Sequence, residues 1–535
     1  MRPRELEDGK KLWQGTGERF IYNENTSIGE ILFNSMSAFP SNICQIHDSE
    51  DGPQIMTNRE ALLKAFAVAK FIDEIDLRQD RDVITVISPN TMNILPVVLG
   101  AFFKAIPISP MFTDFQPTVF KHILRITAPK LIFVDQKNFE NIAEIVEELN
   151  FHQSVVIVNT ESQHMKNILQ KSITSFNPDP LRRDSHQTAA IVCSSGTTGL
   201  PKAICLSHKC FHMKVNGNIT SEDVLLCFSH LFWISGLYQL VTSLTTGATR
   251  IITKTPFSGG YFLDLVEKYK PTYVMSSVPQ LLQVIKDESL KFRDLSSIRS
   301  YIVSGDHIPQ NSGDFIERLL TNGRLFVGYG MTEGECAGTL NCSRNTHPTS
   351  VGKPGSNSMF KIVDEEGNSL PENEQGEVCF RRIDKVFGGY YRDPEATNKI
   401  CDREGFLHSK DLGYFDSEGY LYIVGRMTDI FKSRGREYTP FEIERSVLEI
   451  PGVFEVCAFG VTDGRSSEVI PGALVVKSRD CTLEESDITA YIERNTVMNL
   501  RGGVFFVDEI PRTSTDKYMR RAALEMFNRL RRIEM

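Results

Sequence analysis

The stretch AAIVCSSGTTGLPKAICLSH, residues 189–208, joins an apolar, β-branched run to a loop of small polar residues. The run predicts a buried strand. The loop residues are small enough for backbone N–H groups and hydroxyls to converge on an anion, and they are Ser194, Ser195, Gly196, Thr197, Thr198 and Gly199. A Walker loop has Gly-Lys-Ser/Thr four residues after its first glycine, whereas Lys202 here follows Gly199 by three residues, behind Pro201. The stretch therefore predicts a different phosphate-binding loop, although a solvated Ser/Gly turn has the same composition.

Short strand-like runs alternate with helical stretches on both sides of this loop. VITVIS, KLIFVD and SVVIVN are β-branched runs, and NFENIAEIVEELN has helical character. This alternation is typical of an α/β domain with largely parallel sheets. From about Gly352 the sequence becomes turn-rich and β-like, with turns expected at Gly367 and Gly376. The last hundred or so residues return to short strands and helices.

The length predicts more than one domain, because a single hydrophobic core stops growing at roughly 250–300 residues and the chain has 535. We expect an α/β fold with a large N-terminal domain, residues 1–426, made of mixed and parallel α/β subdomains plus a β-rich subdomain. A small, mobile α+β domain, residues 427–535, should follow. The linker is expected near Arg426 to Asp429.

Composition and charge exclude several classes of protein. A net charge of -9 argues against nucleic acid as the main partner. None of the 11 cysteines forms a C-x-x-C pair, so we expect a reduced compartment and no structural zinc. Val83 to Phe103 carries no charge, but its prolines and asparagines favour a strand, a turn and a buried helix over a membrane span. The N-terminus lacks the apolar core of a secretory signal and the ending RRIEM is not a targeting or prenylation motif, which favours the cytoplasm.

Five motifs in a fixed order carry a family resemblance. SSGTTGLPKAICLSH is followed by GYGMTEGE at 328–335, GFLHSKDLGYFDSEGYLYIVGR at 405–426, FKSRGREYTPFEIE at 431–444 and PRTSTDKYMRRA at 511–522. Over nearly its whole length the chain resembles the acyl-adenylate-forming superfamily, which includes acyl-CoA synthetases, 4-coumarate:CoA ligases and insect luciferases. The resemblance implies that residues 1–426 form an AMP-binding adenylation domain and residues 427–535 the C-terminal domain of AMP-binding enzymes. It also implies a small-molecule carboxylic acid, ATP, Mg²⁺ and coenzyme A as ligands. It also makes a peroxisomal location conceivable, although the usual C-terminal signal is missing.

The resemblance implies a role for each residue of the nucleotide site. The loop at 194–199 and Lys202 would hold the β and γ phosphates as pyrophosphate leaves. Tyr329 offers a flat ring for adenine, with Gly330 beside it, and Thr332 a hydroxyl for the α-phosphate. Glu333 is the candidate Mg²⁺ ligand, because Mg²⁺ prefers few carboxylates plus phosphate oxygens.

Ribose and the C-terminal domain account for the remaining implied roles. Asp411 would accept both ribose hydroxyls, and Arg426 would reach the same sugar. Lys517, expected at the start of a helix where a cation is disfavoured, would neutralise charge during adenylation. Lys432 would serve the second step, when this domain rotates to admit the thiol. Ser433, Arg434 and Gly435 would line the coenzyme A path, although any exposed lysine can also be a solvated side chain.

Several residues depart from the family pattern around the reacting atoms. Trp233 stands where relatives often have a histidine beside the acyl carboxylate, and Gly305 and Asp306 belong to the expected acid pocket. Lys410 and Asp516 replace usual glycines. Three functions stay open: a ligase for a hydrophobic, medium- or long-chain fatty acid; a nucleotide-binding protein without catalysis; and another use of the adenylate, such as luciferase-type oxygenation.

Overall fold

A computed structural model describes residues 4–5, 11–15, 22–23, 25–79, 81–151, 154–193, 200–212, 219–335, 338–384, 387–463, 468–478, 481–496, 498–512 and 518–534, and the structural statements below concern these residues. The strands are β1 (Arg4–Glu5), β2 (Lys11–Gln14), β3 (Ile43–Asp48), β4 (Gln54–Thr57), β5 (Ile84–Ile87), β6 (Ile108–Met111), β7 (Leu131–Val134), β8 (Val156–Asn159), β9 (Thr188–Cys193), β10 (Ala203–Ser207), β11 (Val224–Cys227), β12 (Thr249–Thr253), β13 (Tyr273–Ser277), β14 (Ser300–Ser304), β15 (Arg324–Gly330), β16 (Gly338–Asn341), β17 (Lys353–Pro354), β18 (Ser358–Val363), β19 (Gly376–Arg382), β20 (Leu407–Phe415), β21 (Leu421–Arg426), β22 (Phe431–Ser433), β23 (Arg436–Tyr438), β24 (Val453–Thr462), β25 (Val469–Lys477) and β26 (Gly503–Phe506).

The helices are α1 (Ile28–Ala38), α2 (Asn58–Glu74), α3 (Ile94–Phe103), α4 (Pro117–Thr127), α5 (Phe139–Glu148), α6 (Gln163–Leu169), α7 (Ile234–Thr246), α8 (Gly259–Tyr269), α9 (Val278–Lys286), α10 (Gln310–Leu319), α11 (Pro394–Ile400), α12 (Pro440–Leu448), α13 (Glu485–Asn495) and α14 (Arg520–Glu534). None of the helices in the described parts of the chain combines the length and the apolar character that crossing a bilayer requires. The uncharged segment from Val83 to Phe103 forms β5 and the fully buried helix α3, as predicted.

Two large sheets build the α/β part of the molecule. One has the order β10-β9-β6-β5-β7-β8, and the other has the order β17-β16-β15-β14-β13-β11-β12-β3-β4. An apolar cluster joins residues of α1, α2 and α3 to both sheets. Strands β11, β13, β14 and β15 pair in parallel, so their carboxyl ends lie at one edge. That edge is where open α/β sheets commonly bind ligands.

A third sheet, of order β1-β2-β18-β19-β20-β21, supplies the β-rich part. One of its faces is packed with Trp13, Phe360, Phe380 and Phe415, which contact Tyr329 at the end of β15. Gly367 lies in a turn with a φ of +85°, as predicted. Gly376 instead begins β19. The position requires glycine because an added Cβ there would lie 2.3 Å from the carbonyl oxygen of Val363. The close approach of two strands, rather than a turn, accounts for this glycine.

The strands after Arg426 belong to separate small sheets, β22-β23 and β24-β25-β26. Helix α12 begins with a capping box of Thr439 and Glu442 and has Pro440 in its first turn, an arrangement that satisfies two unpaired backbone donors. Helix α14 begins at Arg520, three residues later than predicted. The α/β fold with a large N-terminal and a small C-terminal domain is confirmed, while the boundary at residues 426 and 427 stays a prediction.

Candidate functional site

Tyr329, Asp411 and Arg426 meet where the nine-stranded sheet contacts the β-rich sheet. The Tyr329 hydroxyl donates to Asp411 Oδ2 at 2.6 Å, and Arg426 Nε lies 3.0 Å from Asp411 Oδ1. Asp411 and Arg426 face each other across β20 and β21. Arg426 also donates to the backbone oxygen of Ser409 at 3.0 Å. The three side chains thus form a fixed network in which a carboxylate with only 9% of its surface exposed is anchored from two sides.

The surroundings of Tyr329 are apolar apart from this network. Its ring meets Phe380 edge-on at 6.0 Å between centroids. Burial, together with the charge of Asp411, raises the pKa of Tyr329 well above its usual value, so the phenol keeps its proton and acts as a donor. A rigid aromatic ring beside an anchored carboxylate can hold the base and sugar of a nucleotide.

Glu333 and Lys202 converge on Tyr390, a residue that the motifs did not single out. The Tyr390 hydroxyl donates to Glu333 Oε1 at 2.9 Å, and the ammonium of Lys202 lies 4.6 Å from the centre of the Tyr390 ring. Glu333 is buried in a 3₁₀ turn directly after β15, next to the half-buried Thr332. A carboxylate, a hydroxyl and a cation therefore lie at the end of the strand that carries Tyr329 and Gly330.

Backbone pairing explains how Tyr390 reaches this position. Tyr390 forms a bridge with Ile204 of β10, and its N–H donates to the Thr397 hydroxyl of α11 at 2.9 Å. Asp393 caps that helix, with Pro394 in its first turn. The sequence GGYYRDPEAT contains these capping signals, and they could have indicated a fixed loop that presents a tyrosine.

The carboxylate of Glu333 fits the binding of Mg²⁺. The Tyr390 hydroxyl bonds to one oxygen of this carboxylate, and no hydrogen bond to the other oxygen is found among the described residues. Mg²⁺ typically takes one or two carboxylates together with phosphate oxygens and water. Glu333 can offer one such ligand.

Seven predicted site residues cannot be placed. The loop residues Ser194, Ser195, Gly196, Thr197, Thr198 and Gly199 and the catalytic candidate Lys517 lie outside the described residues, as does Asp516. The described neighbours of the loop are β9, which ends at Cys193, and β10, which begins at Ala203. These strands pair antiparallel in the register Cys193 to Ala203.

The residues expected to serve the second step lie on the β22-β23 hairpin. Lys432 is 74% exposed, and its Nζ lies 3.1 Å from Glu437 Oε1 on the facing strand. Ser433 is buried, whereas Gly435 occupies the turn with a φ of +79°. Arg434 donates its backbone N–H to Glu468 at 3.1 Å. The ion-pair partner of Lys432 belongs to its own hairpin, and among the described residues no ion pair joins Lys432 to the Tyr329 network.

A different part of the C-terminal domain contacts His307, the residue that follows the acid-pocket candidates Gly305 and Asp306. The His307 ring lies 4.6 Å from that of Phe441 in α12, and burial lowers the pKa of His307 to about 4. Asp306 is exposed, and its side chain accepts a hydrogen bond from the backbone N–H of His307 at 2.7 Å. At Gly305, with a φ of +95°, none of the described residues brings an atom within 4 Å of an added Cβ. As far as the described residues go, this edge of the sheet is therefore open in front of Gly305.

Trp233 borders an aromatic cluster at the same edge. It occupies the N-cap position of α7 without a side-chain capping hydrogen bond, and its ring lies 4.9 Å from that of Phe232. Phe115 contacts Phe232 at 5.2 Å, and Phe112 contacts it at 6.1 Å. The half-buried indole therefore stands on an apolar wall that suits a hydrophobic ligand.

Comparisons with known proteins agree with this architecture. The chain has a TM-score of 0.85 with the anthranilate CoA ligase AuaEII in complex with anthranoyl-AMP, at 21% identity over 94% of this chain and 98% of that one. It has a TM-score of 0.70 with the luciferase-like enzyme from the nonluminescent mealworm Zophobas morio, at 25% identity over 78% and 100% of the two chains. The fold is thus that of adenylate-forming enzymes.

Sequence similarity assigns the family. 4-coumarate–CoA ligase 2 of Nicotiana tabacum is 31% identical over 510 residues, which cover 91% of this chain and 92% of the relative. The AMP-binding enzyme family matches residues 32–391, and the C-terminal domain of AMP-binding enzymes matches residues 442–517. The chain belongs to the AMP-binding enzyme family, and the predicted membership of the acyl-adenylate-forming superfamily is confirmed.

Proposed function

We propose that this protein is an ATP-dependent acid–CoA ligase for a hydrophobic carboxylic acid, with a medium- or long-chain fatty acid as the first candidate. The observation that carries the proposal is the Tyr329–Asp411–Arg426 network. Tyr329 of this network lies shortly before the buried Glu333 in the chain. The network suits a nucleoside, and Glu333 with Lys202 suits its phosphates. The general enzyme class, an AMP-forming acid–thiol ligase, is confirmed by the family and its CoA ligase relatives.

The first half-reaction joins the acid to AMP. A carboxylate oxygen of the acid attacks the α-phosphorus of ATP, and the bond to the bridging oxygen of pyrophosphate breaks. Little covalent chemistry is left to the protein, so its part is to position the reactants and stabilise charge. Asp411 would fix the ribose, and the Thr332 hydroxyl would donate to the α-phosphate. Lys202 and the loop at 194–199 would hold the departing pyrophosphate.

Mg²⁺ bound at Glu333 would supply positive charge against the phosphate oxygens. The Tyr390 hydroxyl holds the carboxylate of Glu333 by one oxygen, and the other oxygen would serve as the Mg²⁺ ligand. Lys517 would add charge in this step.

The second half-reaction exchanges AMP for a thioester. The thiol sulfur of coenzyme A attacks the acyl carbon, AMP leaves with the electrons of the mixed anhydride bond, and the thiol proton is lost. Lys432 lies on an exposed hairpin in the present arrangement. Its participation would require the rotation of the C-terminal domain, with Ser433, Arg434 and Gly435 lining the path of the cofactor.

A second substrate class has specific support. The relative in sequence named above is 4-coumarate–CoA ligase 2 of Nicotiana tabacum, and the ring cluster around Trp233 suits a flat aromatic acid as well as an alkyl chain. Arylalkenoic acids are therefore the second candidate.

Acid-dependent release of pyrophosphate tests the whole proposal. Purified protein, ATP and Mg²⁺ are incubated with separate pools of fatty, aromatic and amino acids, with and without coenzyme A. Release with the fatty-acid pool, and a thioester when coenzyme A is present, is the expected result. Release only with the aromatic pool would select the second candidate. ATP binding without release in any pool would overturn the ligase and favour a nucleotide-binding protein without catalysis.

A further inference from the structure

Glu377, Cys379 and His408 bring three different ligand atoms together on the β-rich sheet. Glu377 Oε2 lies 2.7 Å from His408 Nδ1, and Cys379 Sγ lies 3.5 Å from the same nitrogen. All three ligand atoms lie within 4.8 Å of one another. A carboxylate oxygen, an imidazole nitrogen and a thiol sulfur are the donor types found in zinc sites.

The strand pairing fixes this group. Glu377 and Cys379 are two residues apart on β19, so their side chains share one face, and Cys379 lies directly opposite His408 of β20. The face is opposite to the one that packs Phe360 and Phe380 against Tyr329. The thickness of the sheet therefore separates this cluster from the Tyr329–Asp411–Arg426 network.

The spacing suits a tetrahedral ion. Bond lengths of about 2.3 Å to sulfur and about 2.0–2.1 Å to nitrogen place these two ligand atoms about 3.5 Å apart in a tetrahedral site. The observed separation of Cys379 Sγ and His408 Nδ1 is 3.5 Å. The Glu377 oxygen would have to withdraw from His408 by roughly half an ångström, because tetrahedral O and N ligands lie about 3.3 Å apart.

Charge and access are compatible with a bound cation. Lys361 lies opposite Cys379 in β18, but its ammonium is held by Asp402 at 2.6 Å and Glu404 at 2.9 Å. Cys379 is fully buried, while 28% of the His408 side chain is exposed. An ion can therefore enter from the His408 side, where water can complete its coordination.

We propose that Glu377, Cys379 and His408 form a zinc site, with water as the fourth ligand. The thiol of Cys379 would lose its proton to solvent on binding, and Glu377 would exchange its hydrogen bond to His408 for a bond to zinc. The sulfur and nitrogen donors favour zinc over Mg²⁺, which prefers oxygen ligands. This site is distinct from the Mg²⁺ ligand proposed at Glu333.

Cobalt titration followed by zinc competition tests the proposal on the full-length protein. After chelator treatment, Co²⁺ should bind in one equivalent with a thiolate-to-cobalt absorption band, and Zn²⁺ should displace it. Cys379→Ser should remove the band. His408→Gln should weaken zinc binding at least tenfold, because losing a residue that only hydrogen-bonds to a metal ligand already weakens metal binding by about that factor. Cys342→Ser, which changes an exposed cysteine, is the matched control and should bind as the wild type does.

The outcomes separate cleanly. No thiolate band in the wild type, or the same band and zinc affinity in Cys379→Ser, would overturn the site. If Cys379→Ser does not fold, His408→Gln decides, because its partly exposed ring can be replaced without opening the core. Unchanged zinc affinity in that variant would also refute the proposal.

Discussion

Asp411→Ala should weaken ATP binding by removing the acceptor for the ribose hydroxyls. The carboxylate has about four lone-pair positions, and Tyr329 and Arg426 use two of them. We expect each of the two hydroxyls of the sugar to donate one hydrogen bond to this carboxylate. A hydrogen bond to a charged group is worth about 1.5–3 kcal/mol, so two bonds at the lower limit give about 3 kcal/mol. That free energy corresponds to a dissociation constant about 150-fold higher.

A thermodynamic cycle distinguishes a direct contact from a general disturbance of the site. Isothermal titration would measure ATP and 2′-deoxy-ATP against the wild type and Asp411→Ala. The wild type should prefer ATP by about tenfold, the value of one charged hydrogen bond, and the variant should bind both nucleotides equally. Asp364→Ala changes an exposed turn carboxylate that accepts from Asn368, and it should retain the full preference. The same preference in Asp411→Ala as in the wild type would refute the ribose contact.

Three further predictions concern other residues. Lys517→Ala should abolish pyrophosphate release but spare thioester formation from supplied acyl-AMP, and Lys432→Ala should do the reverse; equal loss of both half-reactions in both variants would refute the assignment. Trp233→Ala should shift the acid preference toward bulkier acids in the pyrophosphate assay, because it removes an indole from the apolar wall, and an unaltered acid profile would exclude that role. Lys410→Gly should stabilise the protein by about 0.5–1 kcal/mol, since a side chain at φ +63° costs roughly 1–2 kcal/mol and the added chain entropy of glycine offsets part of the gain. Thermal unfolding measures that change, and a lower midpoint would contradict the argument.

The sequence predicted most of the fold because the relevant signals are local. Runs such as VITVIS and SVVIVN form β5 and β8, and the turn residues in the segment from Val83 to Phe103 correctly excluded a membrane span. The start of α14 was wrong by three residues. Met519, directly before Arg520, instead donates its N–H to the Pro511 oxygen at 2.8 Å, and helical periodicity does not reveal such a contact.

The site shows the limit of the same method. Motif order identified Tyr329, Glu333 and Asp411, but the structure adds Tyr390, whose role depends on pairing with a strand nearly two hundred residues earlier in the chain. The prediction of no structural zinc rested on the absence of C-x-x-C pairs. Residues on two paired strands have no such spacing, so the zinc site proposed at Glu377, Cys379 and His408 could be inferred only from the sheet register.

One irregularity in β20 connects these observations. Cys379 pairs with His408, and Glu377 pairs with Leu412, so three residues of β20 oppose the single residue between the two β19 partners. Bulges of this kind redirect side chains and often lie next to active sites.

Lys410, in the middle of the bulge, adopts the left-handed conformation and donates its N–H to Glu377 Oε1 at 3.0 Å. Its neighbour Asp411 faces Tyr329 and Arg426 on the other side. Glu377 therefore supports the backbone that presents Asp411, the carboxylate proposed to bind ribose.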